Sequence, residues 1–265
     1  MNFGIIGSRG FIQSKHRQAI ADIGGLIVDE CDIDNNKNWQ SVCENAKVDV
    51  VSICTPTYLH TEMAKHAHFM GKKVILEKPL AVTLEDGEAL SKLDNIAVVY
   101  QRRYDTQAQI IKAKKDKPHL IIIEFLVKRD PIYWETWRAN PRLTGGGNLF
   151  NIQIHFLDLL YWWLGNQYKI LEADIRRYDR MIDEECFITM HFNGTLVYLR
   201  GSSRNHRRDL NVKAFYKDEI ITYDMDDGTH TDIYRDFVEK NKYISTKEAF
   251  ESLKMVHDIY KFSMK

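Results

Sequence analysis

The stretch NFGIIGSRGFI, residues 2–12, is a short apolar strand that stops on a glycine turn and runs into a helix, roughly Ser14 to Ile23. That order aims backbone N–H groups and the positive end of a helix at one point, which suits a pyrophosphate. The turn reads Gly7-Ser8-Arg9-Gly10-Phe11-Ile12. Arg9 stands where the second glycine of G-x-G-x-x-G would be, so the turn alone leaves an ordinary tight turn open. The next apolar run, LIVDECD, ends on Asp32. It lies about twenty residues further on, where a carboxylate accepts both ribose hydroxyls of NAD and repels the extra phosphate of NADP. Arg9 is the one feature that would favour NADP. The expected cofactor is NAD.

Working outward, VDVVSICTP (48–56), KKVILEKPL (72–80) and IAVVYQRR (96–103) are further apolar strands. They alternate with helical stretches at Trp39–Asn45, 59–71 and Thr83–Leu93. Apolar strands alternating with helices predict a parallel, doubly wound sheet. After about residue 118 the pattern changes to strand after strand: 119–129, 168–178, 186–192, 195–202, 210–216 and 219–224, with one helix near 148–164. Ser245-Thr246-Lys247-Glu248 has the form of a capping box and opens a last helix to about Phe262. The expected α/β architecture is a Rossmann domain over 1–118, binding NAD, and an α+β domain over 119–265. The second domain carries an open, mostly antiparallel sheet for substrate binding and oligomerisation, and the last helix is free to pack on the first domain.

The 265 residues are 44% hydrophobic and 28% charged with a formal net charge of zero, an ordinary balance for a globular chain with a sizeable core. Zero net charge argues against a nucleic-acid partner. The basic cluster RNHRR, 204–208, reads as a solvated turn between strands, and KAKKDK, 112–117, as the wet end of a helix. Cys31, Cys43, Cys54 and Cys186 have no metal spacing and no paired framework, so no metal site is expected and a reducing, cytoplasmic setting is. The first ten residues lack the features of a signal peptide. No window has the roughly 18 apolar residues of a membrane helix, so no membrane partner is expected.

The stretches SICTPTYLH (52–60), GKKVILEKPL (71–80) and GGGNLFNIQIHFLDLLYWWLG (145–165) resemble the Gfo/Idh/MocA oxidoreductases, whose most specific mark is E-K-P at a strand end. The resemblance implies that Lys78 stands beside the nicotinamide and touches the hydroxyl being oxidised. A cation there stabilises developing alkoxide, and partial burial is expected to lower its pKa. Otherwise a lysine at a strand end snorkels to the surface. The resemblance further implies that Glu77 supports the cofactor side, that Pro79 is cis, and that Thr55, Pro56, His60 and Gln101 line the cofactor. Asn151, His155 and Asp158 fall at i, i+4 and i+7, on one helix face. Many family members carry aspartate where Asn151 stands. Asparagine cannot ionise, which leaves His155 as the proton acceptor, with a pKa near ~6.5 suited to it. A lone histidine on an apolar helix is otherwise a satisfied core group.

IGSRGFIQSKHRQAI, with His16, and WETWRANPR (134–142) resemble the UDP-N-acetylglucosaminuronic acid 3-dehydrogenases, the WlbA type. DGTHTDIY, 227–234, resembles another of their segments. A sugar nucleotide needs cations for its diphosphate, and Arg103, Arg138 and Arg142 are candidates, with Trp137 beside them. Each arginine equally suits a structural salt bridge. The chain is shorter than that group, notably between Asp32 and Val48. Oxidation at C3 of a UDP-N-acetyl-hexosamine or its uronic acid is expected, with another NDP-sugar or a cyclitol as alternatives. The rivals are a non-catalytic NAD-binding regulator and an assembly protein using only its sheet. The open sheet face predicts a homodimer or homotetramer.

Overall fold

The computed structural model describes residues 1–35, 37–178, 180–223 and 229–264. Chain contacts divide it into two compact units, 1–101 with 229–250, and 102–228 with 251–265. The first runs β1 (Asn2–Ile6), α1 (Gln13–Asp22), β2 (Leu26–Cys31), α2 (Gln40–Glu44), β3 (Val50–Ile53), α3 (His60–Phe69), β4 (Lys73–Leu76), α4 (Leu84–Ser91) and β5 (Ile96–Val98). Its five strands are all parallel, in the order β2-β1-β3-β4-β5. Val50, Val51, Ile53, Val74, Ile75 and Leu76 have no solvent exposure. Each such side chain contributes about 1.5–3 kcal/mol by burial, which is why the central strands are apolar throughout rather than alternating. The strand order reverses between β1 and β3, so ligands bind beyond the carboxyl ends of these strands.

The second unit begins with α5 (Thr106–Ala113) and β6 (Leu120–Lys128), followed by the short helices α6 (Pro131–Trp134) and α7 (Pro141–Thr144). A π-helical turn, Leu149–Gln153, leads into α8 (Ile154–Leu164). Then come β7 (Tyr168–Arg176), β8 (Glu185–Phe192), β9 (Thr195–Ser202), β10 (Arg204–Phe215) and β11 (Ile220–Tyr223). The sheet order is β11-β10-β6-β9-β8-β7, and only the β6–β9 pair is parallel. α8 is anchored to β6 by Phe156 against Phe125, 5.5 Å between ring centres, and to α5 by Trp163 donating to the Ala108 carbonyl at 3.1 Å. On the sheet's other face Tyr198 is 44% exposed. The cluster 204–208 is not a turn: it forms the first part of β10, whose register with β6 slips between Arg204 and Asp209. Asp224 of the expected strand 219–224, and Asp227 and Gly228 of the segment 227–234, lie outside the described residues.

α9 (Thr231–Glu239) is a helix that the sequence reading treats only as a motif. It belongs to the first unit, as does the start of α10 (Thr246–Ser263), so the division is not the single boundary expected at 118. The cause is packing: Tyr234 and Phe237 are fully buried, Tyr234 stacks near Phe3 at 5.7 Å, and Val98 N–H donates to the Ile244 carbonyl at 2.9 Å. The capping box forms, with Ser245 N–H donating to Glu248 Oε2 and Glu248 N–H to Ser245 Oγ.

Gly147 shows how tightly the entry to α8 is held. A Cβ there would lie 2.0 Å from the Asp183 carbonyl oxygen, while the Asp183 carboxylate accepts from the N–H groups of Gly147 and Leu149, both at 2.7 Å. Gly147→Ala is therefore expected to cost about 3 kcal/mol, at the upper end for overpacking. Urea unfolding measures it, and an unchanged midpoint would contradict the contact.

Candidate active site

The turn after β1 is shaped by contact with the next strands. Gly7 has φ +84°, and a Cβ on it would meet the Cys54 carbonyl at 2.9 Å, so only glycine fits. Its N–H donates to the Cys31 carbonyl at 2.9 Å. Ser8 is buried, while Arg9, Gly10 and Phe11 are exposed and Ile12 is half-buried. The first turn of α1 has no side-chain cap. Its backbone donors fit an anion. Asp32 is half-buried just past β2 and accepts from the backbone N–H groups of Arg9 and Ile33, both at 2.7 Å. An ionised carboxylate only accepts hydrogen bonds, which is the chemistry that ribose hydroxyls require. The Arg9 guanidinium faces Asp34 at 3.6 Å.

Of the other residues expected to line the cofactor, Thr55 and Pro56 are half-exposed after β3. The Gln101 Oε1 is buried with no hydrogen bond among the described residues. His60 starts α3. It is 1% exposed, and its two ring nitrogens face the carbonyls of Pro79 at 2.8 Å and Thr55 at 3.0 Å, so the ring ties two loops together.

At the end of β4, Glu77 is 7% exposed, Lys78 is half-exposed and the Lys78–Pro79 peptide bond is cis. Glu77 Oε1 faces His16 Nε2 at 3.0 Å and His230 Nε2 at 3.2 Å. Its Oε2 accepts from the Lys78 backbone N–H at 3.2 Å. Burial pushes the Glu77 pKa up, but hydrogen bonds from both imidazoles outweigh it and hold the carboxyl well below the usual range. Burial lowers the pKa of His16, opposed by Glu77. A neutral His16 donating from Nε2 must accept at Nδ1, where the Tyr234 hydroxyl lies at 2.7 Å; Tyr234 in turn meets Ser52 Oγ at 2.7 Å. His230, Tyr234 and Ser52 have no local signal that ties them to Glu77.

In the second unit, Asn151 and His155 are half-buried where the π turn meets α8, and Asn151 Nδ2 donates to the Tyr133 hydroxyl at 3.3 Å. Asp158 does not share their exposure. It is fully buried and takes two hydrogen bonds from Arg103, both 2.8 Å, plus one from Ser252 at 3.2 Å. These two expected substrate groups are bonded to each other. Around the half-exposed Trp137, Arg138 lies over the Tyr133 and Trp137 rings and Arg129 over Tyr133, each 4.8 Å from the ring centre. Arg142 is exposed. Arg103→Met should cost about 3–5 kcal/mol, because it strands a buried charge, and Arg103→Met with Asp158→Leu should cost less. Unchanged stability in urea, with only substrate affinity lost, would return the pair to the substrate.

Residues 25–97 match the family model described as Oxidoreductase family, NAD-binding Rossmann fold, and residues 112–220 match the GFO/IDH/MocA C-terminal domain. A levoglucosan dehydrogenase of Pseudarthrobacter phenanthrenivorans is 31% identical over 143 residues, 49% of this chain and 37% of that protein. The chain thus spans well under two thirds of the curated relatives it matches, with 38% and 39% for two further oxidoreductases. Among solved structures, the WlbA dehydrogenase from Bordetella pertussis, in complex with NADH and UDP-GlcNAcA, superposes with a TM-score of 0.86 at 19% identity, covering 99% of this chain and 96% of that one. The UDP-N-acetylglucosamine 3-dehydrogenase GnnA from Acidithiobacillus ferrooxidans gives 0.82 at 17%, covering 97% and 96%. At such identities the likeness establishes the fold. With both of its domains matched in order, this chain belongs to the Gfo/Idh/MocA oxidoreductase family.

Proposed function

We propose that this chain is an NAD-dependent dehydrogenase acting on a sugar hydroxyl, with C3 of a UDP-N-acetyl-hexosamine or its uronic acid as the favoured position. The observation that carries the proposal is Lys78, a half-exposed cation at the carboxyl end of a parallel strand, where ligands of such sheets bind. NAD, when bound, supplies a nicotinamide carbon that accepts hydride. The turn Gly7–Ile12 and the uncapped start of α1 hold its pyrophosphate, and Asp32 accepts its ribose hydroxyls. Phe11 and Ile33, each 89% exposed, are spare apolar surface on the loops after β1 and β2, suited to the adenine. Gln101 offers its buried, unbonded Oε1 as a further acceptor.

In this reading the Lys78 ammonium donates to the sugar oxygen and stabilises negative charge as it develops, while His155 takes the hydroxyl proton. Asn151 holds the sugar by hydrogen bonds without competing for that proton. The aromatic and arginine group of Tyr133, Trp137, Arg129 and Arg138 supports a nucleotide substrate, since guanidinium planes and rings suit a diphosphate and a base. The likeness to dehydrogenases solved with UDP-GlcNAcA supports the same choice. A free sugar is the second reading, supported by the 31% identity to levoglucosan dehydrogenase.

The test is reduced-nicotinamide absorbance with UDP-N-acetylglucosamine, its uronic acid and levoglucosan. Lys78→Ala should lower turnover by about 10²–10³. Calorimetry should find NAD affinity unchanged in that variant and NAD bound more tightly than NADP by the wild type. Full turnover by Lys78→Ala would reject the proposal.

A further inference from the structure

The buried group around Glu77 has a feature the proposed reaction leaves unused. Three side chains from separate parts of the chain, His16 on α1, His230 just before α9 and Glu77 after β4, bring their ring nitrogens and carboxylate oxygen within 4.8 Å of one another. Their exposures are 0%, 4% and 7%. An ionised carboxylate only accepts hydrogen bonds, so both Nε2 atoms must donate to Oε1. The donor direction then runs unbroken from Ser52 through Tyr234 and His16 to Glu77, and Oε2 is left for the Lys78 backbone N–H. His230 serves the same oxygen from the other side, and its Nδ1 has no partner among the described residues.

We infer that His16 and His230 are positioning residues for Lys78: by holding one oxygen of Glu77 between them, they keep the other on the Lys78 N–H and fix the direction in which the lysine leaves β4. The inference rests on Lys78 being the group that holds the reacting oxygen. A misplacement of about 1 Å costs roughly 10²-fold in rate, which sets the size of effect that two buried imidazoles can have through Lys78.

Two substitutions separate this from plain packing. His230→Gln keeps an N–H donor near the position of Nε2, whereas His230→Leu fills similar space with none. In full-length protein with lysines labelled by reductive ¹³C-methylation, the Lys78 resonance is the one missing from Lys78→Ala. It should hold its position in His230→Gln and move to the position of an exposed lysine in His230→Leu. Turnover should fall about 10²-fold in His230→Leu alone, with KM for NAD unchanged. Should His230→Leu not accumulate as folded protein, Glu77→Gln carries the same test, and its Lys78 resonance should move likewise.

A Lys78 resonance unmoved in the variant lacking the donor would overturn the inference. So would equal loss of turnover in His230→Gln and His230→Leu. One equivalent of Zn²⁺ in purified wild type, absent from His230→Leu, would also overturn it, since a metal takes the nitrogen lone pairs that the hydrogen bonds leave protonated. The resonance reports position whether or not Lys78 acts in turnover, so failure of the catalytic reading is told apart by Lys78→Ala.

Discussion

A carboxylate taken almost wholly out of water at the end of a parallel strand is tolerable only if its charge is compensated. The effective penalty is several kcal/mol per buried ion, repaid only where hydrogen bonds satisfy the lone pairs. Glu77 has that compensation from two imidazoles and a backbone N–H. The need for it organises the first unit. His16 must sit on the inner side of α1, and the chain must return after residue 228 to supply His230 and Tyr234. The same network leaves Lys78 beside a fixed negative charge at the edge where nucleotides bind.

The second unit follows a different rule. One of its buried charges is Asp158 on α8, which takes two hydrogen bonds from the buried Arg103. On the same helical stretch Asn151 and His155 are part-exposed, as are Tyr161 and Trp162. Arg129 and Arg138 lie over aromatic rings, which leaves their planes ordered and their charge unneutralised by those rings. A sugar nucleotide asks for that combination of rings and cations.

Much of this was legible in the sequence because it is local. Apolar runs marked β1, β3, β4 and β6, Gly7 marked the turn, and Ser245 with Glu248 marked the start of the last helix. What was illegible is long-range. His230 and Glu77 are 153 positions apart, and no spacing rule joins them. α9 hid because Asp232, Arg235, Asp236 and Glu239 outnumber its buried apolar residues Ile233, Tyr234 and Phe237. Asp158 shared a helical spacing with His155, but spacing does not say which side chain meets a buried arginine. The carbonyls of Pro79 and Thr55 that His60 faces were likewise visible only in the fold.

The charge on Glu77 is the most direct point of test. In folded protein with ¹³C-labelled glutamate, its side-chain carboxyl resonance is assigned by its loss in Glu77→Gln. An ordinary glutamic acid is half protonated at its usual pKa of 4.5. At that pH the Glu77 resonance should still stand at its ionised position, because both imidazoles donate to it. A resonance that shifts to the protonated position above that pH would contradict the account, since a neutral Glu77 could not hold the two histidines or the Lys78 N–H as described.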